Sequence, residues 1–163
     1  LVVVQAVVEL AKVNQVQVVL NPAPAQVLPQ SLLAMVDVLT PNENELRLIS
    51  GEDDITKGTR ALLGQGVKNV LVTLGANGAY LVNETKEVHF PAHKVIAVDT
   101  TAAGDAFNGA LAVLLAEKES LLTAVRYAMA AGGLATTKRG AQPSLPWRDE
   151  VEQFLSTEIT GGF

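Results

Sequence analysis

The chain of 163 residues contains no cysteine. It therefore has no disulfide framework and no thiolate metal site, and a reducing, cytoplasmic setting is expected. Positive charge is also scarce: 12 Lys and Arg stand against 17 Asp and Glu, a net charge of −5. A nucleic-acid surface needs a clustered excess of basic residues, so no nucleic-acid partner is expected. The run Leu1 to Leu10 is apolar, but it has no basic leader or cleavage pattern and is too short for a bilayer, so no membrane partner is expected. No Gly-x-Gly-x-x-Gly occurs anywhere, which disfavours dinucleotide-dependent oxidoreduction. Internal repeats, low-complexity tracts and linkers are absent as well.

What is present is a globular composition, 48% apolar and 18% charged, read as one domain over 1–163 with a sizeable core. Leu1 to Val8 is helix-like. Val16 to Leu20 reads as a buried strand, followed by a Pro-rich turn at Asn21 to Pro24. Val36 to Leu39 is a second strand. Thr40 is then expected to cap a helix, with Pro41 at its first position, Glu43 closing a capping box and Gly51 ending it after Ser50. A helix at Ile55 to Leu63, a strand at Val70 to Leu74 and a hairpin of Tyr80 to Val82 with Val88 to Phe90 follow. Two helices come after Asp99, at Asp105 to Ala116 and, capped by Ser120, to Thr136. Strand–helix alternation of this kind predicts an α/β fold with a mainly parallel sheet covered by helices. Ligands of such sheets bind beyond the carboxyl ends of strands, so the loops at Thr40, Thr73 and Asp99 are candidates to converge on one site.

The most telling stretch is Asp99-Thr-Thr-Ala-Ala-Gly-Asp-Ala-Phe-Asn-Gly109. Three small residues precede Asp105 where an apolar helix begins. Small side chains let backbone N–H groups gather on an anion, and the helix adds the positive end of its dipole. A carboxylate on the first turn is then placed to take a proton from a nucleophile attacking that anion, the layout of a phosphoryl-transfer site. The bland alternative is a carboxylate that simply complements the dipole. Asn42 and Glu45 stand at i and i+3, facing one way on a helical turn. Thr73-Leu74-Gly75-Ala76-Asn77-Gly78 is a Gly-containing strand exit, weak evidence by itself.

Taken together these segments resemble the ribokinase-like carbohydrate kinases, the PfkB family. Asp99, Thr100, Ala102, Ala103, Gly104, Asp105, Gly109, Ala110 and Leu111 satisfy that family's C-terminal signature. Asn21-Pro-Ala-Pro-Ala25, Thr40-Pro-Asn-Glu43, Thr73-Leu-Gly75 and Lys138-Arg-Gly-Ala-Gln-Pro-Ser144 match in the same order, so the likeness runs from about residue 16 to about 155 and is strongest to its ribose-phosphorylating branch. The resemblance implies a three-layer α/β/α fold, with ATP, Mg²⁺ and K⁺ as cofactors and a small sugar as partner. It implies Asp105 as the general base, and backbone N–H groups of Ala102, Ala103, Gly104 and Asp105 as the anion hole. By the same resemblance Asn42 contacts nucleotide phosphates, Glu45 organises Mg²⁺ through water, and Thr73 to Gly78 lies along the phosphates and ribose. Met129 would stand beside the adenine. Asp99, Thr101, Ala135, Lys138, Gly140 and Ser144 match positions around a monovalent cation, mostly through backbone oxygens, so the Lys138 charge must point away.

Two positions depart from the pattern: Ala106 where Thr is frequent, and Met129 where a polar side chain is common; an adaptable Met still packs on a purine. A family member carries about as many residues again before Leu1, the part with most of the sugar pocket and its lid. The chain is thus expected to be the C-terminal, nucleotide-binding part of a kinase that makes ribose 5-phosphate. Kinases of deoxyribose, fructose or nucleosides are the alternatives, as is a nucleotide-binding fragment without catalysis. A homodimer of the full-length protein is compatible with the resemblance. His89 and His93 read as ordinary surface or edge residues, Trp147 as packing the C-terminal helix, and Gly161-Gly162-Phe163 as a frayed tail.

Overall fold

A computed structural model describes residues 1–160, with the side chains of 158–160 excepted. The expected frayed tail at 161–163 lies outside the described residues. The chain forms two compact units, Leu1–Pro91 and Ala92–Phe163.

The first unit is a five-stranded sheet in the order β1-β2-β3-β4-β5, with helices between its early strands. Helix α1 (Val2–Val13) leads to β1 (Val19–Leu20), then α2 (Gln30–Leu33), β2 (Val38–Leu39), α3 (Glu43–Ser50), α4 (Ile55–Gly64) and β3 (Asn69–Thr73). The pairs β1–β2 and β2–β3 are parallel, with Val19 opposite Val38 and Leu39 opposite Val70. The expected hairpin, β4 (Ala79–Asn83) and β5 (Glu87–Phe90), extends the sheet antiparallel to β3. The sheet is therefore mixed. Its core is aliphatic: Leu32, Leu33, Val36, Leu39, Leu62, Val70 and Val72 are wholly buried.

Both leading strands are shorter than the apolar runs that contain them. Val16 N–H donates to Ala11 O at 2.8 Å and Val36 N–H to Leu33 O at 3.0 Å, so each run begins inside the turn that closes the preceding helix. Val18 O then receives both Asp37 N–H and Val38 N–H, and the regular ladder starts one residue later.

Asp37 holds this end of the sheet together. Its Oδ2 accepts from Lys12 Nζ (2.6 Å) and Val18 N–H (2.8 Å), and its Oδ1 accepts from Lys68 Nζ (2.7 Å). One buried carboxylate thus ties α1, the approach to β1 and the approach to β3 to the start of β2. Burial pushes the Asp37 carboxyl up, but the hydrogen bonds from Lys12, Lys68 and Val18 outweigh it and hold it below its ordinary value.

The second unit is helical: α5 (Ala103–Ala116), α6 (Leu121–Ala135) and α7 (Arg148–Thr160). Ser120 caps α6 as expected, accepting from Thr123 N–H at 3.1 Å. Helix α6 is rich in alanine and glycine, and its Gly132 lies where a Cβ would stand 3.2 Å from Ala103 O, so it backs closely onto the first turn of α5. Trp147 does not pack α7 as expected: it is 80% exposed, and its role is a backbone N–H donated to Glu150 Oε2 at 2.7 Å. Val151, Phe154 and Leu155 hold α7 instead, against Ala130 and Ala131.

Replacing Asp37 by Ala would leave the Lys12 ammonium and Val18 N–H without their acceptor, at a cost of about 3 kcal/mol. Lys68→Met should cost under about 1 kcal/mol, because that side chain is 66% exposed and exposed pairs contribute little. The folded carboxyl titrates below the unfolded value of about 3.9, so its contribution is complete above that pH and is lost as pH falls through the folded value. Urea unfolding across pH 2–7 should show this acid loss in the parent chain and a flatter profile in Asp37→Asn.

Candidate functional site

In the first unit the ends of β2 and β3 are laced together. Thr73 N–H donates to Pro41 O at 2.9 Å, and Asn42 bridges to Thr73 in parallel register. Asn21 Nδ2 donates to Thr40 O at 2.9 Å and so anchors the Pro-rich turn to the same place. The helix cap differs from expectation. Thr40 is not the cap and Glu43 does not close the box. Helix α3 starts two residues later, with Asn42 Oδ1 accepting from Glu45 N–H (2.9 Å) and Glu45 Oε2 accepting from Asn42 N–H (2.7 Å). The reason is backbone pairing: Thr40 N–H is held by Leu20 O and Pro41 O by Thr73 N–H, so both remain in the sheet connection. The reciprocal bond leaves Asn42 its amide N–H groups and Glu45 one oxygen for a ligand. Gly51 ends the helix in the left-handed conformation, φ +74°, as expected.

Past β3 the chain makes a short 3-10 turn, Gly75–Asn77, closed by Leu74 N–H to Gly78 O at 2.8 Å. Gly75 and Gly78 have φ of +56° and +96°, which is why glycine suits both positions. His89, read from the sequence as an ordinary edge residue, holds this loop: its Nε2 lies 2.8 Å from Asn77 O. The pairing of Tyr80 with His89 across β4–β5 brings it there, which no local sequence signal announces.

In the second unit Asp99 is a clamp. Its Oδ1 accepts from Thr101 N–H and its Oδ2 from Gly140 N–H, each at 2.9 Å. Thr136 O receives both Val98 N–H (2.7 Å) and Asp99 N–H (3.1 Å), a backbone contribution that side-chain reading missed. The Thr101 hydroxyl and the Gly140 and Thr101 N–H groups lower the Asp99 pKa to about 2, so it is an anion throughout the neutral range. Ser144 is fully buried and donates its hydroxyl to Ala141 O at 2.7 Å, while Ala135 is buried at the end of α6. Lys138 Nζ pairs with Glu150 Oε1 at 2.6 Å, which turns its charge toward α7. Among the described residues no group of three or more His, Cys, Asp and Glu side chains could hold a metal by itself, so a Mg²⁺ ion here would depend on phosphate oxygens and water.

The clamp leads into the start of α5. Ala102 is its N-cap in the left-handed conformation, φ +61°, ψ 8°, with no side-chain cap. The helix begins at Ala103 rather than Asp105, so Asp105 sits at its third position, exposed, on the first turn. Ala103 N–H turns back to Thr100 O at 3.2 Å. Gly104 and Asp105 hold N–H groups of the kind a helix start leaves without an internal acceptor. A Cβ on Gly104 would meet nothing within 4 Å. Asp105 and Ala106 line one end of a cleft of about 300 Å³ that continues along Gly109, Val113, Tyr127 and Leu145. Met129 is half-buried on α6. His93 is likewise not a free surface residue; its ring meets that of Phe154 edge-on at 5.3 Å.

The model of the pfkB family of carbohydrate kinases matches residues 1–148. A ribokinase of Haemophilus influenzae is 41% identical over 157 residues, 93% of this chain and 51% of the relative. A deoxyribokinase of Salmonella typhi is 36% identical over 155 residues, 91% of this chain and 51% of the relative. Among solved structures, Arabidopsis thaliana ribokinase complexed with ribose and ATP superposes with a TM-score of 0.87 at 34% identity, over 94% of this chain and 52% of that one. The chain spans about half the length of the curated relatives it matches.

The capping box gives a test of what Asn42 contributes to the structure. Asn42→Ala should lose about 1 kcal/mol of stability, whereas Asn42→Ser, which keeps a capping oxygen, should stay within about 0.5 kcal/mol. Thermal unfolding of the two variants beside the parent chain measures both.

Proposed function

The chain belongs to the pfkB family of carbohydrate kinases, and from that premise we propose that it is the C-terminal, nucleotide-binding part of an ATP-dependent sugar kinase making ribose 5-phosphate and ADP from ribose. One observation carries the reading: the uncapped first turn of α5, with Asp105 upon it and the Asp99 clamp immediately before it. An uncapped helix start offers N–H groups and a positive dipole end to phosphate oxygens. Gly104 and Asp105 would stabilise charge that develops during transfer, which is where such sites gain most. Asp105 would take the proton from the attacking sugar hydroxyl. ATP would be held by Thr73 to Gly78, by the Asn42 amide and by Met129, with Mg²⁺ organised through water by Glu45. K⁺ would sit among Asp99, Thr101, Ala135, Lys138, Gly140 and Ser144, mostly on backbone oxygens, and would keep the loop before α5 in order. The reading carries with it a cytoplasmic setting and a full-length protein in which 1–163 is part of one kinase domain. Deoxyribose is the competing substrate, favoured by the deoxyribokinase likeness.

Gly104→Ala is the direct test of the anion hole. The position is helical and open, so the variant should fold at least as stably as the parent. Its affinity for ATP by calorimetric titration should nonetheless fall about tenfold, because the methyl occupies the space in front of the N–H groups. Unchanged affinity would remove α5 from the nucleotide site.

Catalysis should require more than this chain. Transfer needs the acceptor oxygen held in line and water excluded, and the 163 residues alone are expected to make no sugar phosphate. In the enzyme completed upstream, Asp105→Asn should keep ATP binding and lose about 10²–10⁴ in turnover, the usual scale of general-base help. Replacing K⁺ by Na⁺ in that enzyme should lower the rate; an equal rate would dismiss the cation site and leave Asp105 untouched.

A further inference from the structure

The loop between α6 and α7, residues 136–147, carries adjacent cationic side chains, Lys138 and Arg139, in the stretch proposed for K⁺. A cation held on backbone oxygens is opposed by a second positive charge in front of them. One residue of α7 deals with Lys138. Its ammonium lies 2.6 Å from Glu150 Oε1, while Glu150 Oε2 accepts Trp147 N–H at 2.7 Å. Lys138 stands near the entrance of the loop and Trp147 is its last residue, so one carboxylate grips both ends. Between them Gly140 N–H is fastened to Asp99 Oδ2 at 2.9 Å. Ser144 donates both its N–H and its hydroxyl to Ala141 O, at 3.1 and 2.7 Å. Glu150 is itself well placed to hold on, being the third residue of a helix that Val151 and Phe154 anchor.

A plainer account covers half of this. A glutamate at the third position of a helix commonly reaches back to the N–H before the helix, as one side of a capping box. That explains the Trp147 bond and gives the Lys138 bond nothing to do. Nor does stability explain it: the two side chains are 43% and 41% exposed, and such pairs contribute little. The loop backbone supplies the reason. Lys138 N–H reaches Ala135 O at only 3.4 Å, longer than an ordinary amide hydrogen bond, so the end of α6 holds this residue weakly and its side chain holds it instead. We propose that Glu150 is a positioning residue for the monovalent cation: it sets the backbone of the 136–147 loop and keeps the Lys138 ammonium away from the loop's oxygens. The inference rests on the K⁺ site proposed above and extends it to a residue that does not touch the ion. Partners of that kind, which orient ligand-bearing residues, typically govern affinity by about tenfold or more.

The test separates the two bonds of Glu150. Glu150→Gln keeps a side-chain oxygen for Trp147 N–H, as a capping box allows, and loses the charge that holds Lys138. Lys138→Met breaks the same pair from the other side and leaves the cap intact. The unfolding temperature of the 163-residue chain is followed against K⁺, with choline chloride keeping the ionic strength constant, because an ion that binds only the folded form raises it. In choline alone both variants should lie within about 2 °C of the parent. Against K⁺ the Glu150→Gln curve should move about tenfold to higher concentration. Lys138→Met should move it less, since it loosens the loop without releasing a charge. Glu150→Gln placed on Lys138→Met should then add no further shift, the signature of two residues acting as one pair. A parent chain that ignores K⁺ would dismiss the cation reading and this proposal with it. A parent that responds to K⁺, beside a Glu150→Gln variant with the same curve, would overturn this proposal alone and leave Glu150 as a helix cap. So would a Glu150→Gln shift that persists in full on the Lys138→Met background, for then Glu150 acts without its partner.

Discussion

A single carboxylate decides where the parallel part of the sheet begins. Asp37 is buried, and it is tolerated there because two ammonium groups and a backbone N–H meet its oxygens at 2.6–2.8 Å. The interaction fixes register as well as stability. With Val18 N–H taken by the carboxylate and Val18 O shared by the N–H groups of Asp37 and Val38, the ladder starts at Val19 opposite Val38. A slip of one residue would turn each strand's side chains to the other face. Everything downstream inherits that register: Leu39 against Val70, and beyond them the paired ends at Asn42 and Thr73.

The second unit uses an aspartate in the same way for a different purpose. Asp99 joins its own loop to the loop at Gly140, but it is not buried among lysines; its partners are N–H groups and a hydroxyl. A carboxylate satisfied by neutral donors keeps its charge without a cation as its hydrogen-bond partner, which is what the proposed cation site would need. The capping box of α3 shows the same economy. Asn42 and Glu45 are occupied with each other, yet each has a polar atom left. Residues proposed to touch a ligand are, in both units, first the residues that hold the loop in place.

Strand–helix alternation, the hairpin, the Gly51 stop and the Ser120 cap were legible because each has a local cause. The errors arose where another group intervened, near or far along the chain. Thr40 has the chemistry of a cap, but its N–H belongs to Leu20. Val16 and Val36 have the composition of strands, but helix-closing turns take their N–H groups. Trp147 follows a proline and precedes a helix, the setting of a packing aromatic, while Val151 and Phe154 fill that place. The family signature located the first turn of α5, since its small residues and Asp105 are contiguous. The clamp on Asp99 was harder to see, because Thr136 and Gly140 act through backbone atoms some forty residues away.

Ala102 connects the clamp to the helix at an energetic cost. Its φ of +61° lies in the left-handed region, where a residue with a Cβ is disfavoured by about 1–2 kcal/mol. Glycine would relieve that strain, yet it would also loosen the unfolded and loosely folded forms of the loop. Alanine limits the turn to fewer conformations. Two bonds then leave it little choice: Thr101 N–H is fixed by Asp99 on one side, and Ala102 O receives Ala106 N–H at 2.9 Å on the other. Strain of this kind persists only where the surroundings over-determine it, and it gathers at working sites. The result is a helix start with a preset direction for its N–H groups, donors that the proposed phosphate site would not have to reorganise.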